Sequence, residues 1–342
     1  MVGMPASLTG WVSSSSQERA HRPAVGRLYR TYLGAWYAVS SRFGPGQNAL
    51  EREWDALVVL DGCRVDALRA VAPEYEFLDV GEIESVVSVG CSGREWLAKT
   101  FTTAYRDEVT RTAHVSANGS AGPVLERGDP GPGVTVPFGW PRDDVADAEA
   151  FAGFDRLRPR GCDDRLHSVR PGYTTECAID VGRTVDADRV VVHYGQPGAP
   201  FVARAVSERR ELTAVERDPW AALRSGDASR EQVWDLYLDN LRYALDHVTV
   251  LLENLDARRL VITADHGEAL GDWGVYGHRD GLLVPTVKRV PWTETAATDT
   301  GWRTPTIDRE ADAETDGPRT PTHGDTGTRD GEQSERRPSG TD

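Results

Sequence analysis

The sequence contains very little lysine, and its overall charge is strongly acidic. Lys99 and Lys288 are the only lysines among 39 basic residues, the others being arginines, and 54 residues are acidic. The formal net charge is −15 at pH 7. A general basic field, which attracts the phosphates of nucleic acids, is therefore absent. We expect no nucleic-acid partner.

Long apolar runs and paired cysteines are also lacking. No run approaches the roughly 18 apolar residues of a membrane-spanning helix, and the first thirty residues contain no apolar core typical of a signal peptide. Cys63, Cys91, Cys162 and Cys177 show no C-x-x-C spacing, which argues against a zinc knuckle. These absences predict a cytoplasmic protein with free thiols and no transmembrane segment.

Composition divides the chain into three stretches. Residues 1–50 are rich in Arg and Ser, with an aromatic patch at 28–37 that predicts a partly helical extension docked on the main domain. Contact with a membrane surface is the alternative for this patch. Residues 51–292 hold nearly all strand and helix patterns and form the predicted catalytic domain. Residues 293–342 have almost no large apolar residue, which predicts a disordered acidic tail.

The middle stretch alternates short apolar runs with helical patterns. The runs at 56–60, 86–89, 113–116, 189–193 and 260–263 predict buried strands, and 94–101 and 230–254 predict helices. Alternation of this kind is typical of an α/β domain with a mainly parallel sheet. Ligands of such sheets bind beyond the carboxyl ends of the strands, so the residues that follow each strand are the candidates for a site.

Three of these strands are followed by residues that suit metal-assisted catalysis. Asp61 ends the first strand, Ser92 stands between the second strand and a helix, and Asp265-His266-Gly267 follows a later strand. Asp and His together suit zinc or manganese. Helix capping is the alternative for both Asp61 and Ser92, because Ser92 and Glu95 have capping-box spacing. His278 lies in a Gly-rich loop, and it is a candidate ligand because it follows the Asp265-His266 pair.

Further polar residues follow two other strands. Asn118 follows the strand at 113–116, where it could donate to an ester oxygen. His193 and Gln196 lie at the end of the strand that begins at 189. His193 could face the site or be a core residue.

The order and spacing of these motifs resemble the alkaline phosphatase/sulfatase superfamily over residues 54–292. The closer resemblance is to archaeal, haloarchaeal-type sulfatase-like proteins. It implies a three-layer α/β/α sandwich that holds one or two divalent metal ions (Zn, Mn or Mg, with Ca also possible). It further implies Asp61, Ser92, Asp265, His266 and His278 as metal ligands and Ser92 as the nucleophile that forms a covalent intermediate. The implied substrate is a phosphate or sulfate ester of a small molecule, glycan or lipid headgroup.

The acidic, lysine-poor composition agrees with a haloarchaeal source, because salt screens an anionic surface. A GC-rich genome that favours arginine codons would give a similar lysine deficit. Stability of the purified protein without added salt separates the two explanations.

The sequence departs from the family pattern at two places. Relatives commonly carry Pro-His where this chain has Pro197-Gly198, so a second metal and activity itself come into question. Neither Cys63 nor Cys91-Ser92 is followed by the x-Pro-x-Arg pattern of formylglycine sulfatases, which favours phosphate over sulfate. Cys91 is the rival nucleophile.

Two alternative functions remain. One is a non-catalytic relative that binds metal or an anionic glycan, and the other is a phosphosugar mutase. The oligomeric state stays open.

Overall fold

The computed structural model describes residues 46–128 and 145–307, together with Thr31, Tyr32 and Ala35. Eleven strands lie in these ranges: β1 Ala56–Asp61, β2 Glu84–Val87, β3 Thr112–Ser116, β4 Gly153–Arg156, β5 Cys162–Asp163, β6 Ser168–Val169, β7 Arg189–Pro197, β8 Ala257–Thr263, β9 Ala269–Leu270, β10 Tyr276–Gly277 and β11 Arg289–Ala297. Each of the five predicted strands overlaps one of them.

Seven strands form one central sheet in the order β2-β11-β8-β1-β7-β3-β4. The pairs β1–β7, β1–β8, β3–β7 and β3–β4 are parallel, whereas β11 runs antiparallel to both β2 and β8. The predicted α/β fold with a mainly parallel sheet is therefore confirmed, with one antiparallel strand inserted near an edge.

Ten α-helices of four or more residues lie in the described ranges: α1 Val65–Val71, α2 Gly93–Thr100, α3 Arg106–Thr110, α4 Arg158–Gly161, α5 Pro171–Thr184, α6 Ala203–Ser207, α7 Ala214–Arg217, α8 Pro219–Ser225, α9 Arg230–Leu252 and α10 Pro285–Lys288. No helix in this part of the chain combines the length and the apolarity that a membrane span requires.

The central sheet is covered on both faces, as the nearly continuous apolar sequence of β1 requires. Val58 and Leu60 pack with α1, α5 and α9 on one face. Leu57 and Val59 point the other way and pack with Trp96 and Leu97 of α2. Successive residues of a strand face opposite sides, so one strand contributes to both cores. The result is the predicted three-layer α/β/α arrangement.

Two predicted boundaries need correction. The tail does not begin at residue 293, because β11 continues to Ala297 beside β8, and Arg303 is then paired with Glu176 of α5. Backbone pairing with a buried strand orders these polar residues, although their composition is unfavourable. At the other end, the core already includes Ala49 and Leu50. Most of 1–45 and all of 308–342 lie outside the described residues.

Candidate active site

The topology brings four strand ends together at one edge of the sheet. Strands β8, β1, β7 and β3 are consecutive neighbours and run in the same direction. Asp265, Asp61, Gly198 and Asn118 follow or end these strands. Residues as far apart in the chain as Asp61 and Asp265 therefore meet where open α/β sheets bind ligands.

Asp265 is the most buried carboxylate of this group. Its Oδ1 accepts hydrogen bonds from the backbone N–H of Gly62 (3.0 Å) and of His266 (2.8 Å). Its Oδ2 lies 3.3 Å from His193 Nε2 and 3.6 Å from His266 Nε2. Burial acts to raise the pKa of Asp265, but the charges of His266 and His193 outweigh it and hold the pKa below its usual range. Asp265 is therefore ionised at neutral pH.

Asp61 faces the same space from β1 and is partly open to solvent, with 19% of its side chain exposed. Its Oδ1 lies 3.7 Å from His266 Nε2, and its Oδ2 accepts a hydrogen bond from Asn118 Nδ2 at 2.9 Å. Burial and the neighbouring Asp265 charge raise the pKa of Asp61 to about 7. A bound cation would relieve the repulsion between the two carboxylates.

The two histidines have their Nδ1 atoms occupied. His266 Nδ1 donates to its neighbour's carbonyl, Gly267 O, at 2.9 Å, and His278 Nδ1 lies 2.8 Å from Glu268 Oε1. Burial acts to lower the pKa of His278, but Glu268 raises it to about 9. For His266, burial lowers the pKa. Pairing at Nδ1 leaves Nε2 as the ligating nitrogen, which is the usual arrangement of metal-bound histidine.

Three buried atoms of this cluster make no hydrogen bond within the described chain: Asp265 Oδ2, His266 Nε2 and Glu268 Oε2. Buried polar atoms are normally satisfied, so the three together indicate a missing partner. Ligand atoms of Asp61, Asp265 and His266 lie within 4.8 Å of one another, as do those of His266, Glu268 and His278. This mixture of carboxylate oxygen and imidazole nitrogen fits Zn²⁺ or Mn²⁺.

Both triads include His266, and only its Nε2 is available. One nitrogen lone pair ligates one metal ion, so the two triads describe a single centre rather than two independent ones. Of the predicted range of one or two ions, this geometry favours one.

Ser92 lies at the start of α2, next to Gly93, which packs against Asp265 of the cluster. Ser92 is the N-cap of that helix, with Oγ accepting from Glu95 N at 3.1 Å. The same Oγ donates to Asp280 Oδ1. The next residue must be small, because a Cβ on Gly93 would lie 2.2 Å from Asn118 Nδ2 and 2.9 Å from Asp265 Oδ2. Capping and a position beside the centre are thus both properties of Ser92.

The long helix α9 holds two of the strand ends in place. Tyr237 Oη donates to Gly62 O (2.7 Å) and accepts from Arg64 N (2.9 Å). One turn later, Asn240 Nδ2 donates to the carbonyls of Pro197 and Gly198, both at 3.1 Å. Residues three apart lie on one face of a helix, so a single face fixes the turns after β1 and β7.

The other predicted residues occupy different positions. His193 is buried beside Asp265 and makes an edge-to-face contact with Trp96, with ring centroids 5.4 Å apart. Gln196 is also buried, but its amide donates to Ser168 and Val169 rather than to the cluster. Asn118 donates to Asp61, which orients that carboxylate. Burial raises the pKa of the Cys91 thiol, so this rival nucleophile stays protonated.

Two residues of the site were absent from the sequence predictions. Glu268 pairs with His278, and Asp280 accepts from Ser92. Glu268 lies two residues after His266, so the Asp-His-Gly-Glu run carried a local signal. Asp280 had no such signal, because its loop meets α2 only in the folded chain.

Gly198, where the family resemblance predicts a histidine, lies directly against Asp61. Its N–H donates to Asp61 O at 2.9 Å, and a Cβ there would lie 2.8 Å from Asp61 Oδ1. Any side chain at this position must displace the Asp61 carboxylate.

We expect Gly198→Ala to weaken Mn²⁺ or Zn²⁺ binding about tenfold, the lower end of the effect of disturbing a ligand's surroundings. Isothermal titration of the metal-free protein measures this change. Gly195→Ala is the matched control on the same strand, because its Cβ would meet only Ala117 Cβ and Ser168 Oγ, each at 3.9 Å. Equal affinities for the two variants would argue that Asp61 does not bind the metal.

Comparisons with known proteins identify similar solved structures. No family model and no curated protein matches the chain. The soluble domain of lipooligosaccharide phosphoethanolamine transferase A from Neisseria meningitidis is 15% identical over 75% of this chain and 79% of that one, with a TM-score of 0.46. The periplasmic domain of a phosphoethanolamine transferase from Campylobacter jejuni is 16% identical over 70% and 77%, with a TM-score of 0.44.

A sulfatase candidate from Bacteroides thetaiotaomicron is 13% identical over 71% of this chain and 64% of that one, with a TM-score of 0.40. All three are bacterial proteins, and the resemblance to haloarchaeal proteins stays a prediction. Identities of 13–16% carry no information about the chemistry of this site, which has to be inferred from the residues of this chain alone.

Proposed function

We propose that this protein is a metal-dependent phosphoric ester hydrolase with Ser92 as its nucleophile. The observation that carries the proposal is the convergence of three buried ligand atoms without a hydrogen bond in the described chain, from Asp265, His266 and Glu268, at the sheet edge that also presents Asp61. The contact of Gly93 with Asp265 brings the nucleophile turn to the same place.

Asp61, Asp265 and His266, together with Glu268 and His278, would hold the metal ion. When bound, a divalent cation would lower the pKa of the Ser92 hydroxyl and neutralise charge on the ester oxygens. The neighbouring residues of the chain hold these ligands in position. Asp265 and Asp61 are held in place by Gly62 and Asn118, and His193 contacts Asp265, so the ligands are already arranged before a metal binds.

The reaction proposed for this arrangement has two displacements. Ser92 Oγ forms a bond to phosphorus while the bond from phosphorus to the leaving oxygen breaks. The hydroxyl proton passes to Asp280, which already accepts it in a hydrogen bond, and the leaving oxygen takes a proton from solvent water. A water oxygen then bonds to phosphorus while the bond to Ser92 Oγ breaks; Asp280 returns its proton to Oγ, the water loses a proton to solvent, and inorganic phosphate is released. If an alcohol takes the place of water, the same site is a transferase.

Phosphate esters are the proposed substrate class because the sequence lacks the formylglycine pattern and the Cys91 thiol is buried. A glycan or lipid headgroup ester, or a small molecule, remains the proposed kind of substrate.

An ester panel tests the proposed function. Metal-free protein is supplied with Mn²⁺ or Zn²⁺ and assayed with aryl phosphate, aryl phosphodiester and aryl sulfate. We expect metal-dependent release of the aryl alcohol from a phosphate ester, with loss on chelation and recovery on adding metal back. Faster turnover of the sulfate would contradict the phosphate preference. With the aryl phosphate monoester, release of aryl alcohol without an equal amount of inorganic phosphate would identify a transferase.

A binding protein without catalysis is the second candidate. Gly198 favours it, because a further imidazole at this place would have to displace Asp61. Stoichiometric metal binding without turnover of any ester in the panel would support this alternative.

A further inference from the structure

Glu95 of α2 is a fully buried carboxylate that contacts three different parts of the site's surroundings. Its Oε2 accepts hydrogen bonds from the backbone N–H of Cys91 (3.1 Å) and of Gly281 (3.0 Å). Its Oε1 accepts from Lys99 Nζ at 2.5 Å, and neither side chain of this ion pair is more than 7% exposed. A buried charge requires such partners, and these partners lie on separate segments.

The carboxylate does not make the contact that its position in the sequence predicts. In a capping box, Glu95 would bond to the N–H of Ser92 while Ser92 bonds to the N–H of Glu95. The second bond, from Glu95 N–H to Ser92 Oγ, is present at 3.1 Å. The carboxylate instead bonds one residue earlier, at Cys91, and reaches across to Gly281. By comparison, Thr213 and Glu216 form a complete capping box at the start of α7.

Gly281 belongs to the loop that carries His278 and Asp280. Its N–H is held by Glu95, and its carbonyl accepts from Tyr32 Oη at 2.9 Å. Its φ of +69° is a conformation that glycine adopts readily. The peptide groups around this residue are thus fixed from two sides, a few residues from the contact between Asp280 and Ser92.

We propose that Glu95 is a positioning residue that joins the nucleophile turn to the His278–Asp280 loop. Its backbone N–H holds Ser92 Oγ, and its carboxylate holds the loop that supplies a metal ligand and the proton acceptor. The role in catalysis rests on the proposed function. The structural coupling itself depends only on the bonds at Cys91 and Gly281.

The substitution Glu95→Gln tests whether Glu95 positions the loop or is only a buried charge. Both backbone donors bond to one oxygen, so a glutamine could keep them with its carbonyl. Its NH₂ group would then face the Lys99 ammonium, donor against donor. Lys99→Met removes that conflict but, alone, leaves the buried Glu95 carboxylate without its cation. We therefore expect each single variant to be impaired and the double variant Glu95→Gln/Lys99→Met to recover.

Amide hydrogen exchange at Gly281 and turnover per bound metal ion are the two readouts. We expect Glu95→Gln to speed exchange at Gly281 by about tenfold or more, the cost of one buried bond to a charged group. We expect kcat to fall by a similar factor of about ten, because a misplaced catalytic group slows the chemical step. The double variant is expected within about threefold of the parent in both readouts.

Glu216→Gln is the matched control, since Glu216 is a buried capping-box carboxylate of α7 whose side chain pairs with Arg210 and Thr213 and with none of the proposed site residues. It is expected to lower the melting temperature without changing exchange at Gly281 or kcat. Unchanged exchange at Gly281 in Glu95→Gln, or a double variant no better than the singles, would overturn the positioning role. If the parent neither binds metal nor turns over, the proposed function fails, whereas exchange at Gly281 still decides whether Glu95 couples the two segments.

Discussion

Ser92→Ala is expected to reduce phosphate ester hydrolysis by at least about 10³-fold while leaving metal affinity within about tenfold of the parent. The substitution removes the attacking oxygen. The turn itself should persist, because it is also held by the bond from Cys91 N to Glu95. Activity is measured as kcat/KM with an aryl phosphate, and metal affinity by titration. A phosphoserine trapped by acid quench in the parent, and absent from the variant, would identify the intermediate.

Cys91→Ala is the control for this experiment because Cys91 precedes Ser92 and carries the other candidate nucleophile. Its thiol is buried against Ala269, Val275 and Val287. We expect this variant to keep most of its activity, since burial holds the pKa of the thiol high and the reactive thiolate is not formed. Full activity in Ser92→Ala together with loss in Cys91→Ala would reverse the assignment of the nucleophile.

Asp265→Asn is expected to lower Mn²⁺ or Zn²⁺ affinity by at least about 100-fold, beyond the effect typical of changes around a ligand. An asparagine carbonyl can still accept from Gly62 and His266, so the backbone around β8 should be kept. Its NH₂ group, however, places a donor where the proposed ligand oxygen Oδ2 now lies. Metal content measured on protein purified without chelator should fall from about one equivalent to near zero, as expected if both triads share His266.

Asp55→Asn is the control for the loss of one carboxylate charge. Asp55 lies just before β1, at the end of the sheet away from the site, and accepts from Arg259 N at 2.9 Å through its side chain. We expect its metal content to equal that of the parent. Two equivalents in the parent would show that His266 does not limit the site to one ion. Retained metal in Asp265→Asn would remove Asp265 from the ligand set.

Much of the candidate site could be predicted because its residues follow buried strands. Asp61 comes directly after an apolar run, as do Asp265 and His266, and a parallel sheet places such positions at one edge. The α/β fold followed from the alternation of strands and helices. The resemblance added Ser92 and His278; His278 lies within the cluster, whereas the role of Ser92 stays a proposal.

Predictions that depended on short polar segments were less successful. Composition placed the start of a tail at residue 293, yet Glu294 and Thr295 belong to a strand paired with β8. Gln196 is close to the predicted site along the chain, but its amide turns to Ser168. In both cases a partner from a distant segment decides the outcome, and a single sequence does not contain that pairing.

The sequence alone determined the layered α/β architecture and the strand ends that carry Asp61 and Asp265, because hydrophobic periodicity and the carboxyl-edge rule are local properties. Tertiary structure alone decided which polar groups meet across segments. Glu268 pairs with His278, Asp280 accepts from Ser92, and Glu95 joins two turns instead of completing its capping box. Loop residues have no periodicity to predict their partners, so their contacts arise only when the packed sheet and helices bring the loops together.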